Sequence, residues 1–336
     1  MNYTEIFIKL GDAETCIYKK GGGLVLKEAS LIAFSKKGKK IVAVEVGDSA
    51  KELLGKTDGS IWVEAPIKNG VIANLELAKL LLSKLLKLAL VDYAKVRKIK
   101  ATFLVNCSLT AEEKRDYEIL AMDVGIYNYT FIPNVVACLV GAGANIEEVS
   151  GKMVIDFGAD TTEIAVVSKC SIVNGHSIEL GGSIIDSAIA SSIFETFNVV
   201  ISDSIAEKIK KEIGSLHPQD IANITFTGYD ALTRVSRENT VFAKDLYQIF
   251  DVFYEKILDG VEIVLNQLSA DLLNDIAKNG IYLVGGNAKV TGIESYFRKR
   301  LNVPITTFEQ SELVCMDGAK VLIDNDKLLS KIVTNN

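Results

Sequence analysis

Two short glycine turns in this chain carry the residue types that can cradle a phosphate. The first is Lys9-Leu10-Gly11-Asp12-Ala13-Glu14-Thr15 and the second Asp156-Phe157-Gly158-Ala159-Asp160-Thr161-Thr162-Glu163. Each lies between apolar runs that read as strands, so each is a hairpin tip whose backbone N–H groups can face an anion. A third segment, Val284-Gly285-Gly286-Asn287-Ala288, follows a strand and precedes a helix. Two missing Cβ atoms there let a flat base or ribose reach the backbone. Any one of these is an ordinary turn taken alone. In this order they point to a nucleotide clamped from two sides. His176 and His217 lie near turns with no nucleophile pattern around them, which argues against triad chemistry.

The elements that position these turns follow from periodicity. EIFIKLG, TCIYKKGGG, LVLKEASLIAF and KKGKKIVAVEVG read as consecutive antiparallel strands. Residues 75–91 place charges at helical spacing on an apolar helix, too charged to span a bilayer. IKATFLVN, TAEEKRDYEILAMDVGI and YTFIPN make a βαβ unit, with Thr110 capping its helix. From Lys152 the opening pattern repeats, and helices follow at 183–197, 206–213 and 242–267. Two similar halves, each opening with a hairpin, imply duplicated α/β units with a cleft between them.

Bulk properties agree. At 336 residues and 49% hydrophobic, the chain calls for two cores. A net charge of -6 gives no overall field for nucleic acid. The five cysteines stand singly, without metal spacing or a disulfide framework. The N-terminus reads as a charged strand rather than a signal segment, so a cytoplasmic protein is expected.

Several stretches together resemble the MreB family of bacterial actin-like proteins over nearly the whole chain. They are APIKNGVIAN, GAGANIEEVSGKMVIDFG, ELGGSIID, AEKIKKEIGS and YLVGGNAKVTGIE. The resemblance implies an actin-like (ribonuclease H-like) duplicated α/β fold, two domains of two subdomains each around a nucleotide cleft. The expected division is residues 1–32, 66–145 and 316–336 (IA), 33–65 (IB), 146–182 and 241–315 (IIA), and 183–240 (IIB). It also implies ATP with magnesium, head-to-tail protofilaments that pair, other MreB-like proteins as partners, and a role in cell shape. By the same resemblance Gly11, Asp12, Ala13, Gly158, Asp160, Thr161 and Thr162 face the phosphates, Asp156 stands at the magnesium place and Asn134 at the water-positioning place. Glu207 and Lys210 would contact the nucleoside, with Gly285, Gly286, Asn287 and Ala288 beside the adenine. An exposed helix pair is the equal alternative for Glu207 and Lys210. Relatives also touch the inner face of the cell membrane, here through Leu88 and Leu90 of LALVDY beside Lys87, Lys95, Arg97, Lys98 and Lys100.

The departures from the family pattern carry an expectation of their own. Lys9 replaces an aspartate that helps organise magnesium, Asp12 and Glu14 replace neutral polar residues, and Ala159 and Asp160 replace two glycines. Asn134 stands in place of a water-positioning glutamate and cannot act as a general base near neutral pH. Asp12, Glu14, Asp156 and Asp160 would all meet a triphosphate, each contact at ~4 Å costing on the order of a few kcal/mol. The sequence therefore predicts lost or weakened hydrolysis and weakened nucleotide binding, with Lys9 pairing Asp156 or Asp160. The alternative is an active Mg-ATPase whose filament turnover is driven by nucleotide.

Overall fold

The computed structural model describes residues 3–38, 40–57, 59–90 and 98–335, which form two compact units. Unit 1 comprises Met1–Val149, Val167–Val173 and Leu313–Asn336; unit 2 comprises Ser150–Val166 and Asn174–Glu312.

Unit 1 opens with the antiparallel strands β1 (Thr4–Leu10), β2 (Glu14–Lys19) and β3 (Gly23–Ala29). A satellite sheet follows, in the order β5-β4-β6, from β4 (Ile32–Lys37), β5 (Lys40–Val46) and β6 (Ile61–Glu64), with the short helix α1 (Asp48–Lys51) inside it. The two-residue strands β7 (Ile67–Lys68) and β8 (Val71–Ile72) turn the chain into α2 (Leu75–Ala89). That helix starts where Asn74 accepts the Leu77 N–H at 3.1 Å, and it buries Leu77, Ala78, Leu81, Leu82, Leu85 and Leu86. It ends at Ala89, short of the expected 91. Next come β9 (Ile99–Val105), α3 (Ala111–Asp123), β10 (Asn128–Pro133) and α4 (Asn134–Gly141). Thr110 caps α3 as expected, its hydroxyl accepting from Glu113 N–H while Glu113 accepts from Thr110 N–H at 2.8 Å. Strands β9 and β10 join parallel beside β1, giving the order β10-β9-β1-β2-β3.

Unit 2 repeats the scheme. Strands β11 (Lys152–Phe157), β12 (Thr162–Ser168) and β13 (Ser171–Ile178) lead into α5 (Gly182–Phe197). Its satellite sheet is β14 (Val199–Val200), β15 (Asn223–Asp230) and β16 (Ser236–Phe242), with α6 (Asp203–Ile213) between the first two. Strand β15 alternates buried and exposed residues along its whole length, the signature of a one-faced sheet. The long α7 (Ala243–Leu265) and α8 (Ala270–Asn279) precede β17 (Ile281–Val284), α9 (Ile293–Leu301) and β18 (Ile305–Thr306). Strands β17 and β18 run parallel in the order β13-β12-β11-β17-β18, the mirror listing of the first sheet. Strand β11 is buried on both faces, as a central strand must be.

The chain finishes in unit 1 with α10 (Val314–Ile323) and α11 (Asp326–Asn335). Helix α10 packs on α4 at backbone distance. A Cβ on Gly318 would fall on the Ala137 carbonyl, and one on Gly141 would fall on the Val314 carbonyl. Gly318→Ala is therefore expected to lower stability by about 1–3 kcal/mol, read by urea denaturation, because neither backbone can retreat without disturbing a buried helix. An unchanged midpoint would show that the two helices slide apart freely.

Candidate functional site

The same turn closes the leading hairpin of both halves. Gly11 N–H donates to the Glu14 carbonyl at 3.2 Å, and Gly158 N–H donates to the Thr161 carbonyl at 2.9 Å. A Cβ on Gly11 would stand 2.9 Å from Glu14 O, and one on Gly158 would stand 2.8 Å from Thr161 O, so each turn needs its glycine.

In unit 1 the acids of the turn have partners that the sequence did not suggest. Asp12 Oδ1 accepts the Gly70 N–H at 2.8 Å, tying the β1–β2 tip to the β7–β8 turn. Gly70 has φ +75 and fits against Asn106, whose Nδ2 a Cβ there would meet at 2.7 Å. Glu14 pairs with Lys27 of β3 at 3.3 Å. Behind the tip, Ala13 O accepts from Ser30 N–H at 2.8 Å, and the Thr15 and Ser30 hydroxyls share a fully buried bond at 2.9 Å. Lys9 stands across from Cys16 in the β1–β2 ladder. Burial pushes the Cys16 thiol up to about 11, with the Lys9 charge pulling against that rise.

In unit 2 the turn is seated on the first residues of α5. Gly182 N–H donates to Gly158 O at 3.2 Å and Ser183 N–H donates to Ala159 O at 2.9 Å. This approach depends on Gly181, where a Cβ would strike the Ala159 carbonyl. Asp160 lies half-buried with its Oδ1 accepting from Ser183 Oγ at 2.7 Å. At the beginning of a helix a carboxylate is favoured by the dipole, and the first turn of α5 has no acid of its own. Asp12, Glu14 and Asp160 thus each hold a donor within their own unit: the Gly70 N–H, the Lys27 ammonium and the Ser183 hydroxyl.

Lys210 is likewise engaged inside unit 2. It is a buried residue of α6 that donates to Gly182 O at 2.9 Å and to Asp186 Oδ2 at 2.8 Å. Glu207, one turn earlier, is on the surface side and pairs with Lys211 at 2.6 Å. The two residues expected to work together therefore face different partners, because the apolar face of α6 carries Ala206, Ile209 and Ile213 inward and Lys210 with them. Burial holds the Asp186 carboxyl above the usual carboxylate range, against the opposing pull of Lys210. A Cβ on Gly182 would meet Lys210 Nζ and both polar side-chain atoms of Asn287 at 2.7 Å, so this glycine makes the cluster possible.

Asn287 connects the cluster to the third glycine segment. Its Nδ2 donates to Gly158 O at 2.8 Å while its own carbonyl accepts from the Tyr254 hydroxyl at 2.6 Å. Gly285 sits against Asp156, whose Oδ1 would lie 2.6 Å from a Cβ there. It is held by exchange with Ser311, which takes the Gly285 N–H at 2.9 Å and donates its hydroxyl to Gly285 O at 2.7 Å. Gly286 is different: a Cβ there meets nothing within 4 Å, so the backbone is open to a flat ligand. Ala288 is buried, as are Thr161 and Thr162, and the Thr162 hydroxyl donates to Leu180 O at 2.6 Å.

Asn134 opens α4, with Cys315 Sγ 3.9 Å from both its backbone carbonyl and its Oδ1. Leu88 is 60% exposed but Leu90 only 2%, because Leu90 ends α2 and belongs to the core; pairing them as one surface patch is corrected. Tyr93, Lys95 and Arg97 lie outside the described residues. Among the described residues no helix is long and apolar enough to cross a membrane. Gly181, Ser183 and Asp186 fall in the ELGGSIID stretch, which sequence comparison singled out without giving these residues roles. A double glycine just before a helix was the available signal for a close backbone approach.

Two sheets of one order, each opened by the same glycine turn and each followed by a satellite sheet, define an actin-like α/β protein. The chain belongs to the MreB/Mbl family of actin-like, cell shape-determining filament proteins, the MreB/Mbl profile matching residues 3–331. The cell shape-determining protein MreB of Escherichia coli (strain K12) is 30% identical over 323 residues, covering 95% of this chain and 93% of the relative. Mbl of Bacillus subtilis (strain 168) is 30% identical over 330 residues, covering 96% and 97%. Among solved structures, MreB5 of Spiroplasma citri bound to AMPPNP has a TM-score of 0.90 at 28% identity, covering 100% of this chain and 99% of that one. A MamK double helical filament, 18% identical over 96% and 99%, has a TM-score of 0.76 and speaks for the fold alone.

The Lys210–Asp186 pair yields a stability prediction. Lys210→Met leaves the Asp186 charge without its cation and should cost roughly 3 kcal/mol, the low end for buried pairs, since Asp186 keeps 17% exposure. With its folded-state pKa raised, Asp186 is tolerated when protonated and penalised as pH rises through that value. The loss should therefore be larger at pH 8 than at pH 5, and Asp186→Asn in the same chain should recover part of it. A pH-independent loss would sink this assignment.

Proposed function

We propose that this protein is a nucleotide-binding filament subunit whose hydrolysis of ATP is weakened or lost. The observation that carries the reading is the pair of matching glycine turns closed at Gly11 and Gly158, joined in unit 2 by the open Gly286. Nucleotide binding is supported by the MreB5 structures of Spiroplasma citri bound to AMPPNP and to ADP. The residues of unit 2 fit such a ligand: Gly286 leaves room for a base, Asn287 and Gly158 bridge strip and turn, and Asp156 supplies a carboxylate. Magnesium, which commonly takes one or two carboxylates and completes its shell with phosphate oxygens and water, would be held through Asp156. When bound it would neutralise phosphate charge.

Weakened hydrolysis is supported by Asn134. An amide can hold a water by hydrogen bonds but takes up no proton, and a positioned general base contributes roughly 10²–10⁴-fold. Lys9, an ammonium in the place of a magnesium-organising carboxylate, acts in the same direction. Subunits join head to tail into protofilaments that pair, with other MreB-like chains as further partners, in the cytoplasm. Sedimentation of the purified chain should give polymer, and phosphate release should rise at least tenfold in the Lys9→Asp, Asn134→Glu double variant. Release by the wild type at the rate of that variant would instead establish the active ATPase.

At the inner membrane face, Leu88 is the residue offered to lipid, 60% exposed and next to Lys87. Flotation with anionic vesicles should fall in Leu88→Ser. Equal flotation removes this residue from any membrane contact.

A further inference from the structure

We infer that Asp160 is a built-in substitute for the last phosphate of the nucleotide, so that the site selects a nucleoside diphosphate over a triphosphate. The inference rests on the nucleotide-binding reading above and adds the discriminating residue.

The contacts have a direction. Gly286 is the open position, Asn287 follows it, Asn287 Nδ2 reaches Gly158 O at 2.8 Å, and Asp160 lies two residues further along the turn. A nucleotide laid with its base on Gly286 and its phosphates along the turn meets Asp160 last. At that end the carboxylate is already engaged. Its Oδ1 takes the Ser183 hydroxyl at 2.7 Å, at the start of α5, where backbone bonds from Gly182 and Ser183 hold the turn in place. Helix starts favour negative charge whether it arrives on a carboxylate or on a phosphate. One anion there excludes a second, because like charges at contact distance repel and the turn is fixed by close backbone contacts at Gly158 and Gly181 and by the N–H bonds from Gly182 and Ser183. A diphosphate ends short of the carboxylate and keeps the remaining contacts. A triphosphate must displace Asp160 from Ser183 or bind with its terminal charge beside it.

The test is equilibrium binding of ADP and AMPPNP, each with magnesium, to the full chain and to Asp160→Gly and Asp160→Asn. Wild type should bind ADP at least tenfold more tightly than AMPPNP. Both variants should bring the ratio to within about threefold by strengthening AMPPNP, with ADP unchanged. Thermal melting without nucleotide checks that the variants fold, and Asp160→Asn should lower Tm by about 2–4 °C through loss of the helix-start charge. A wild-type ratio near one, or a ratio unaltered in both variants, overturns the role of Asp160 and leaves nucleotide binding standing. If wild type binds neither ligand, the nucleotide-binding reading fails. In that case AMPPNP binding gained in Asp160→Gly upholds Asp160 as the blocking anion, and no gain overturns it as well.

Discussion

Unit 2 is organised around a seam where backbone meets backbone. The 158–161 turn lies on the first residues of α5, joined by N–H groups of Gly182 and Ser183 to carbonyls of Gly158 and Ala159. Side chains would prevent it: a Cβ on Gly181 or Gly182 collides with its neighbours. Each bond contributes about 1 kcal/mol net, and each glycine costs about 0.5–1 kcal/mol in chain entropy, so the seam does not hold by itself. It is held from outside. Lys210 of α6 grips the Gly182 carbonyl, Asn287 grips that of Gly158, and Tyr254 of α7 fixes Asn287. Three helices and the sheet thus converge on one short strip of main chain.

Unit 1 has the same turn without the same seat. There the Asp12 carboxylate does the holding, reaching the Gly70 N–H across 58 residues of sequence. The difference alters the electrostatic picture. Counted from composition, the two glycine turns carry four acids, which would repel an anionic ligand. Counted by contact, Asp12 holds an amide, Glu14 a lysine and Asp160 a hydroxyl. Charges already solvated by protein donors are less available to a ligand's magnesium and less free to move away from its phosphates.

Much of this was legible in the residues because it is local. The hairpins, the Thr110 helix start and the glycine turns depend on neighbours within a few positions, and each appears where its pattern places it. The family assignment was legible because many such patterns occur in order. What sequence reading missed lies in contacts between distant segments. Nothing near Asp160 announces Ser183, 23 residues on, and nothing near Asp12 announces Gly70. The burial of Lys210 was not legible because a lysine on a helix is ordinarily solvated, whereas here a half-buried acid one helix away makes the inward rotamer favourable. Leu90 misled because an apolar run at a helix end looks alike whether its last residue folds inward or outward.

The Asp12 tie also bears on how such a chain can change over generations. A threonine hydroxyl would sit one bond closer to the main chain than the carboxylate oxygen of Asp12. Once Asp12 spans to Gly70, and Gly70 packs on Asn106, replacing it by the shorter residue removes a fastening that two other segments have come to share. Asp12 is therefore part of the scaffold as well as of the turn, and exchanging it alone loosens three segments at once.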